Sequence, residues 1–230
     1  MTLTDVGWGF TAVYALRDAA TGATVLVDTQ NPGREERVLR RLARAGIPED
    51  SVTAIVVTHG HPDHAGGAGV LSERLDVPIV AGAADAPYLA AGRAPLHPTG
   101  GTGRLVGHFV RKEFPPTVAD VLVDAPFDLS VYGVDAQLDV AGGHTPGSLT
   151  VTANGGRDVI VGDLIRSRLL RHHVPALHFF HDDPAAANAA LAHAAAGATT
   201  IWPIHGGALP AEAVRSWLDT PAATAVAARE

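Results

Sequence analysis

The chain has 230 residues, 47% hydrophobic and 18% charged, enough for one domain with a substantial core. Its formal net charge is −7 and Lys112 is its single lysine, a balance unlike that of proteins built around the phosphate backbone, so nucleic acid is disfavoured as a partner. Cysteine is absent, which excludes disulfides, a thiol nucleophile and thiolate metal ligands.

No apolar run approaches the roughly 20 residues needed to cross a bilayer, so no membrane span is expected. Met1–Asp5 carries no basic segment ahead of an apolar one, so no secretory signal is expected and a cytoplasmic location is the default.

In chain order, Thr11–Leu16 and Ala23–Val27 flank a Thr21-Gly22 turn and predict a hairpin. Val38, Leu39, Leu42 and Ala45 recur at helical spacing over 33–45, stopped by Gly46 and Pro48. A strand at 53–58 follows, then a helix at 65–75, a strand at 77–81 and helical patterns at 83–91 and 102–113. Strands are predicted at 119–123, 128–132, 135–141, 148–153 and 157–162. A helix at 184–196 opens on Asp182 or Asp183 as its cap with Pro184 in first position. A strand at 199–202 and a helix at 210–219 close a single domain spanning 1–230, with an Ala-rich tail after Pro221 expected to fray. Two sets of strands with helices in each half suit an α/β fold of four layers, αββα.

His59-Gly60-His61-Pro62-Asp63-His64 packs four metal-binding side chains into six residues directly after the apolar run Ala54–Val57. Neutral imidazole and carboxylate suit divalent metals such as zinc, with iron or manganese as alternatives. Three later segments each place one more such residue where a strand becomes a loop. These are Gly142-Gly143-His144-Thr145-Pro146-Gly147, Val161-Gly162-Asp163 and Pro203-Ile204-His205-Gly206-Gly207.

Together, and in this order, these motifs resemble the metallo-β-lactamase-fold superfamily of metallohydrolases, over essentially the whole length from Val25 to Gly206. The resemblance implies the αββα fold and two divalent metal ions, zinc foremost. His59, His61 and His144 would hold one ion, Asp63, His64 and His205 the other, and Asp163 would bridge them. Asp63 would also be the catalytic group that orients the bridging hydroxide and shuttles its proton. Asp28, ending the second strand, either orients a ligand imidazole or caps a turn with Thr29; the sequence leaves both readings open.

Departures from individual branches narrow the chemistry. The true β-lactamases of this superfamily lack an aspartate in the place of Asp163, so an antibiotic is not the expected substrate. A Gly-Asp pair there resembles glyoxalase II-like thioesterases and lactonases. Glyoxalase II carries a helical C-terminal region, whereas about 25 residues follow His205 here. Flavodiiron-type members have glutamate where His61 stands, and the tail-processing nucleases bring an RNA-binding arm or an extra domain. The expectation is a dinuclear hydrolase of an ester, thioester or lactone that acts on a small molecule, with an anionic group on it left open. The alternatives are a phosphodiesterase, a one-iron persulfide dioxygenase-like enzyme and a silent binding module.

Arg166, Arg168 and Arg171 follow Asp163 closely and could receive a substrate anion, or form a solvated basic loop. His178 and His181 in the same stretch are expected to pack or hydrogen-bond rather than add to the metal site. Tyr132 and residues 93–111 are candidate pocket walls. Oligomeric state is not legible.

Overall fold

Alternation along the buried strands decides the architecture. In β3 (Thr24–Val27) and β4 (Val52–Val57), Leu26, Ile55 and Val57 face one way while Val25, Val27, Ala54 and Val56 face the other. A strand that is apolar on both faces needs a layer on each side, and this chain supplies both. A computed structural model describes residues 1–168 and 171–224.

The first sheet runs in the order β1 (Thr2–Asp5), β2 (Tyr14–Arg17), β3, β4, β5 (Ile79–Gly82) and β6 (Val121–Val123). β1, β2 and β3 are joined antiparallel, and β3 to β6 run parallel. Its outer face is covered by α1 (Glu35–Arg44), α2 (Pro62–Ala65), α3 (Ala68–Leu75) and α4 (Ala86–Ala91), through Val38, Leu39, Leu42, Leu71 and Leu89. The short helix α5 (Gly101–Val106) follows.

The second sheet is formed by β7 (Phe127–Asp128), β8 (Ala136–Val140), β9 (Leu149–Ala153) and β10 (Asp158–Ile160), with β13 (Thr200–Trp202) and β14 (Leu209–Pro210) beyond β10. Only the β10–β13 pairing is parallel. Leu138, Leu149, Val151 and Ile160 meet Val25, Val27, Val56 and Val80 between the sheets. On the outer face, Val159 and Val161 pack under Leu191 of α6 (Pro184–Ala196) and Val214 of α7 (Ala211–Leu218). The αββα expectation holds, and no helix among the described residues is long and apolar enough to cross a membrane.

Several local expectations need correction. β1 and β14, four and two residues long, carry too little pattern to be predicted. The strand expected at 128–132 is a 3-10 turn over Leu129–Tyr132, because the Asp128 carboxylate accepts from Ser130 N (2.8 Å) and Gly133 takes φ 78°. The helix expected over 102–113 ends at Val106. In the arginine-rich stretch β11 (Arg166–Arg168) pairs antiparallel with β12 (Arg171–Ala176), with residues 169–170 outside those described. After Pro221 the chain forms a short helix, α8 (Pro221–Thr224), and Asn188 Nδ2 donates to Ala223 O at 2.9 Å. The rest of the expected frayed tail lies outside the described residues.

Candidate metal centre

The functional side chains gather where both sheets end. β4 delivers Thr58 and His59, and the first turn of α2, opened by Pro62 in helical position one, carries Asp63 and His64. His144 comes from the β8–β9 turn, Asp163 from the end of β10 and His205 from beyond β13. Gly162 has φ 54°, a left-handed conformation that lets the chain turn sharply before Asp163.

Two groups of donors result. His59 Nε2, His61 Nδ1 and His144 Nε2 stand 3.0–3.1 Å from one another. Asp63 Oδ1 lies 3.6 Å from His64 Nε2, and Asp63 Oδ2 lies 3.3 Å from His205 Nε2. Asp163 Oδ2 sits between the groups, 3.8 Å from His59 Nε2, 3.6 Å from His144 Nε2 and 3.3 Å from both His64 Nε2 and His205 Nε2. All seven residues predicted from the motifs therefore converge.

The outer nitrogen of each ring fixes its tautomer. His144 Nδ1 donates to Phe180 O at 2.8 Å and His61 Nε2 to Pro95 O at 3.1 Å. Thr58 Oγ1 gives its proton to Asp28 Oδ2 (2.8 Å), so at 3.1 Å it accepts from His59 Nδ1. The three inward nitrogens of the first group, all on buried rings, therefore present bare lone pairs to one another. Burial holds all three imidazoles below their ordinary pKa, most strongly at His59 and His144, so protons cannot relieve the repulsion at neutral pH. A cation can, and the donor set fits a divalent metal.

The second group is electrostatically different. Burial opposes charge on His205, yet Asp163 and Asp63 outweigh it and push its pKa up to about 10. His64 is likewise raised by Asp163, Asp63 and Asp28 against the pull of burial. Both shifts favour the charged imidazolium at neutral pH. The outer nitrogens of these rings are anchored too, His64 Nδ1 on Asp28 Oδ2 (2.8 Å) and His205 Nδ1 on Phe10 O (3.2 Å). Asp28 also accepts from Thr58 N at 2.7 Å, so of its two readings the geometry shows the orienting contacts.

Sequence reasoning missed Asp85 and did not place His178 beside Asp163. Buried Asp85 accepts from Gly60 N (2.8 Å), Gly147 N (2.7 Å) and Thr145 Oγ1 (2.7 Å), tying the His59–His64 turn to the His144 turn. A side chain at Gly147 would reach within 2.5 Å of Asp85 N, which explains that glycine. His178 places Nε2 only 3.1 Å from Asp163 Oδ2, inside the cluster rather than beside it. His181 is buried nearby with neither ring nitrogen hydrogen-bonded, and burial takes its pKa down to about 4.

A cavity of about 210 Å³ opens onto Asp63, Asp163, His178 and His205. Its walls are Phe10, Leu96, Val106, Val110, Phe179 and Phe180, with exposed Arg111 among its lining residues. Part of the 93–111 segment thus lines it as expected, whereas Tyr132 packs on Phe127, away from it. Arg166, Arg168 and Arg171 do not line it; the Arg166 guanidinium lies 4.1 Å over the Phe179 ring and so backs the wall. A larger cleft of about 660 Å³ lies elsewhere, and one of about 610 Å³ adjoins this cavity through Leu96 and Phe180, but neither is lined by the metal-directed histidines and aspartates.

This fold and this donor set define a metallohydrolase-type scaffold, and a profile of the Metallo-beta-lactamase superfamily matches residues 6–198. The chain belongs to that superfamily. Probable metallo-hydrolase YybB of Bacillus subtilis is 31% identical over 150 residues, covering 64% of this chain and 61% of that protein. Human metallo-beta-lactamase domain-containing protein 1 is 46% identical over 59 residues, 26% of this chain and 22% of its own. The chain thus spans less than two thirds of each of these relatives. Among solved structures, the metallo-beta-lactamase MIM-2 superposes with a TM-score of 0.71 at 20% identity, covering 99% of this chain and 85% of the other. At that identity the likeness speaks for the fold.

Proposed function

We propose that this chain is a dinuclear metal-dependent hydrolase that opens an ester, thioester or lactone carbonyl in a small molecule with a compact apolar acyl group. The observation that carries this reading is the position of Asp163 Oδ2, within 3.8 Å of donors from both groups, as a carboxylate shared by two ions requires. His59, His61 and His144 would hold one ion, Asp63, His64 and His205 the other. Zinc bound there would acidify a water at neutral pH and polarise the substrate carbonyl.

The chain's own residues supply the rest. Asp63, with 30% of its side chain exposed, faces the cavity. Burial works against its charge, but His64 and His205 hold its carboxyl well below the ordinary carboxylate range. It is ionised at neutral pH and able to orient the attacking water and pass on its proton. The aromatic and aliphatic walls offer an apolar surface to the substrate, and Arg111 offers a guanidinium to an anionic substituent. The cavity is below the roughly 300–1,000 Å³ common for ligand pockets, which favours a short acyl group. A hydroxyacylglutathione hydrolase of Bradyrhizobium, 37% identical over 68 residues, carries a thioester reaction in its name and lends that class weight. The matches to β-lactamases concern fold and give no support to an antibiotic substrate.

The test is metal analysis beside a turnover screen of esters, thioesters, lactones and phosphodiesters. Two zinc ions per chain with carbonyl hydrolysis is expected. One iron with oxygen consumption, or hydrolysis confined to phosphodiesters, would overturn the reading.

A proton inventory gives an independent check. Since His64 and His205 are raised, a metal entering the second group must displace their protons, and its affinity is expected to rise with pH. The first group, lowered by burial, is already deprotonated, so its affinity should be flat above about pH 7. Zinc calorimetry in buffers of different ionisation enthalpy measures this directly. Equal proton release for both equivalents would contradict the assignment.

A further inference from the structure

His178 has the features of a ligand rather than of a packing residue. Thr99 Oγ1 donates to His178 O (2.7 Å) and Thr99 N to Phe179 O (2.9 Å), so the backbone that carries it is held from a separate segment. Its ring stacks on His205 at 5.4 Å and meets His144 edge-on at 4.8 Å. Of the five imidazoles around Asp163 Oδ2, at 3.1–3.8 Å, it is the nearest.

Its outer nitrogen is anchored as the others are. His178 Nδ1 lies 3.2 Å from Phe180 O, and the Phe180 backbone N–H donates to the same nitrogen at 3.4 Å. The shorter contact is to an acceptor with a second lone pair to offer besides the one His144 Nδ1 uses. With the ring proton on Nδ1 and shared with Phe180 O, Nε2 turns a bare lone pair on a buried carboxylate oxygen. Two acceptors at that distance repel in a dry site unless a cation lies between them.

Resting on the metal-site reading above, we propose that His178 Nε2 is an additional metal ligand on the His144–Asp163 side. It forms a donor group with those two residues. That ion would then have four imidazoles and a shared carboxylate within reach, a set that takes it past four-coordination. The competing arrangement puts the proton on Nε2, which donates to Asp163, and makes His178 a positioning residue.

Long-range proton–nitrogen NMR of the wild-type protein, with and without zinc, separates the two. The expected result is an Nδ1-protonated His178 whose Nε2 resonance shifts on zinc binding. In His178→Ala and His178→Gln, the affinity for one zinc equivalent should fall by at least the ~10–100-fold that losing a supporting partner costs. Cobalt-loaded variants should show stronger visible absorption as coordination number drops. An Nε2-protonated His178 in the zinc-loaded wild type overturns the proposal, and so does unchanged affinity in a folded variant. The wild-type spectrum decides even if neither variant folds. Absence of hydrolysis by zinc-loaded protein would sink the hydrolase reading and leave this result standing.

Discussion

Asp63→Asn is expected to lower kcat for carbonyl hydrolysis by about 10²–10⁴-fold, the range that a positioned acid–base group contributes. Asparagine has nearly the same shape, and position 63 is partly exposed in the first turn of α2, so the fold should survive. What is lost is the charge, 3.3 Å from His205 Nε2 and 3.6 Å from His64 Nε2. Metal analysis should show one equivalent weakened and the other retained, because His59, His61 and His144 do not use Asp63. Turnover within a few-fold of wild type, at full metal loading, would show that Asp63 is not the catalytic group.

The second large effect is expected at a residue that never touches the reaction. Asp28 is fully buried and receives Thr58 N, Thr58 Oγ1 and His64 Nδ1 at 2.7–2.8 Å. Removing it strands three buried donors, and Asp28→Ala should cost about 3–5 kcal/mol, the range for breaking one side of a buried charged pair. For a chain of this size that is a fall in Tm of roughly 6–20 °C by differential scanning calorimetry. Part of the alanine effect is backbone strain, since Asp28 has φ 65°. Asn tolerates that conformation, so Asp28→Asn isolates the electrostatics. If Asp28 orients His64, metal affinity at the second group falls by about 10–100-fold in both variants. If it only caps a turn, stability drops and metal affinity does not.

The metal-directed residues were legible because their signal is local: the His59–His64 run fits within one strand end and one helical turn. His144, Asp163 and His205 lie far apart in sequence, yet each follows an apolar strand, and the order of the segments supplied the link. Asp85 was invisible for the opposite reason. It is one acidic residue in the weak helical pattern 83–91, and its role exists only once β5 and the β8–β9 turn have closed on each other. The position of His178 was not legible because histidine alone carries no direction; Thr99, about 80 residues earlier, holds its backbone. The sheets were readable where both faces are apolar, as in β3 and β4. The β11–β12 pair was not, since arginine and histidine dominate it and leave no alternating apolar face.

The anchors behind these imidazoles have an evolutionary consequence. Pro95, Phe180 and Phe10 steady His61, His144 and His205 with carbonyl oxygens, which every amino acid possesses. Phe180 and Phe10 at the same time shape the cavity with their rings. A descendant could exchange either aromatic, and with it the molecules it accepts, while the replacement residue's own carbonyl still steadies the same ring. Reactivity and taste in substrate are thus written on different atoms of one residue, so the second can drift while the first is inherited.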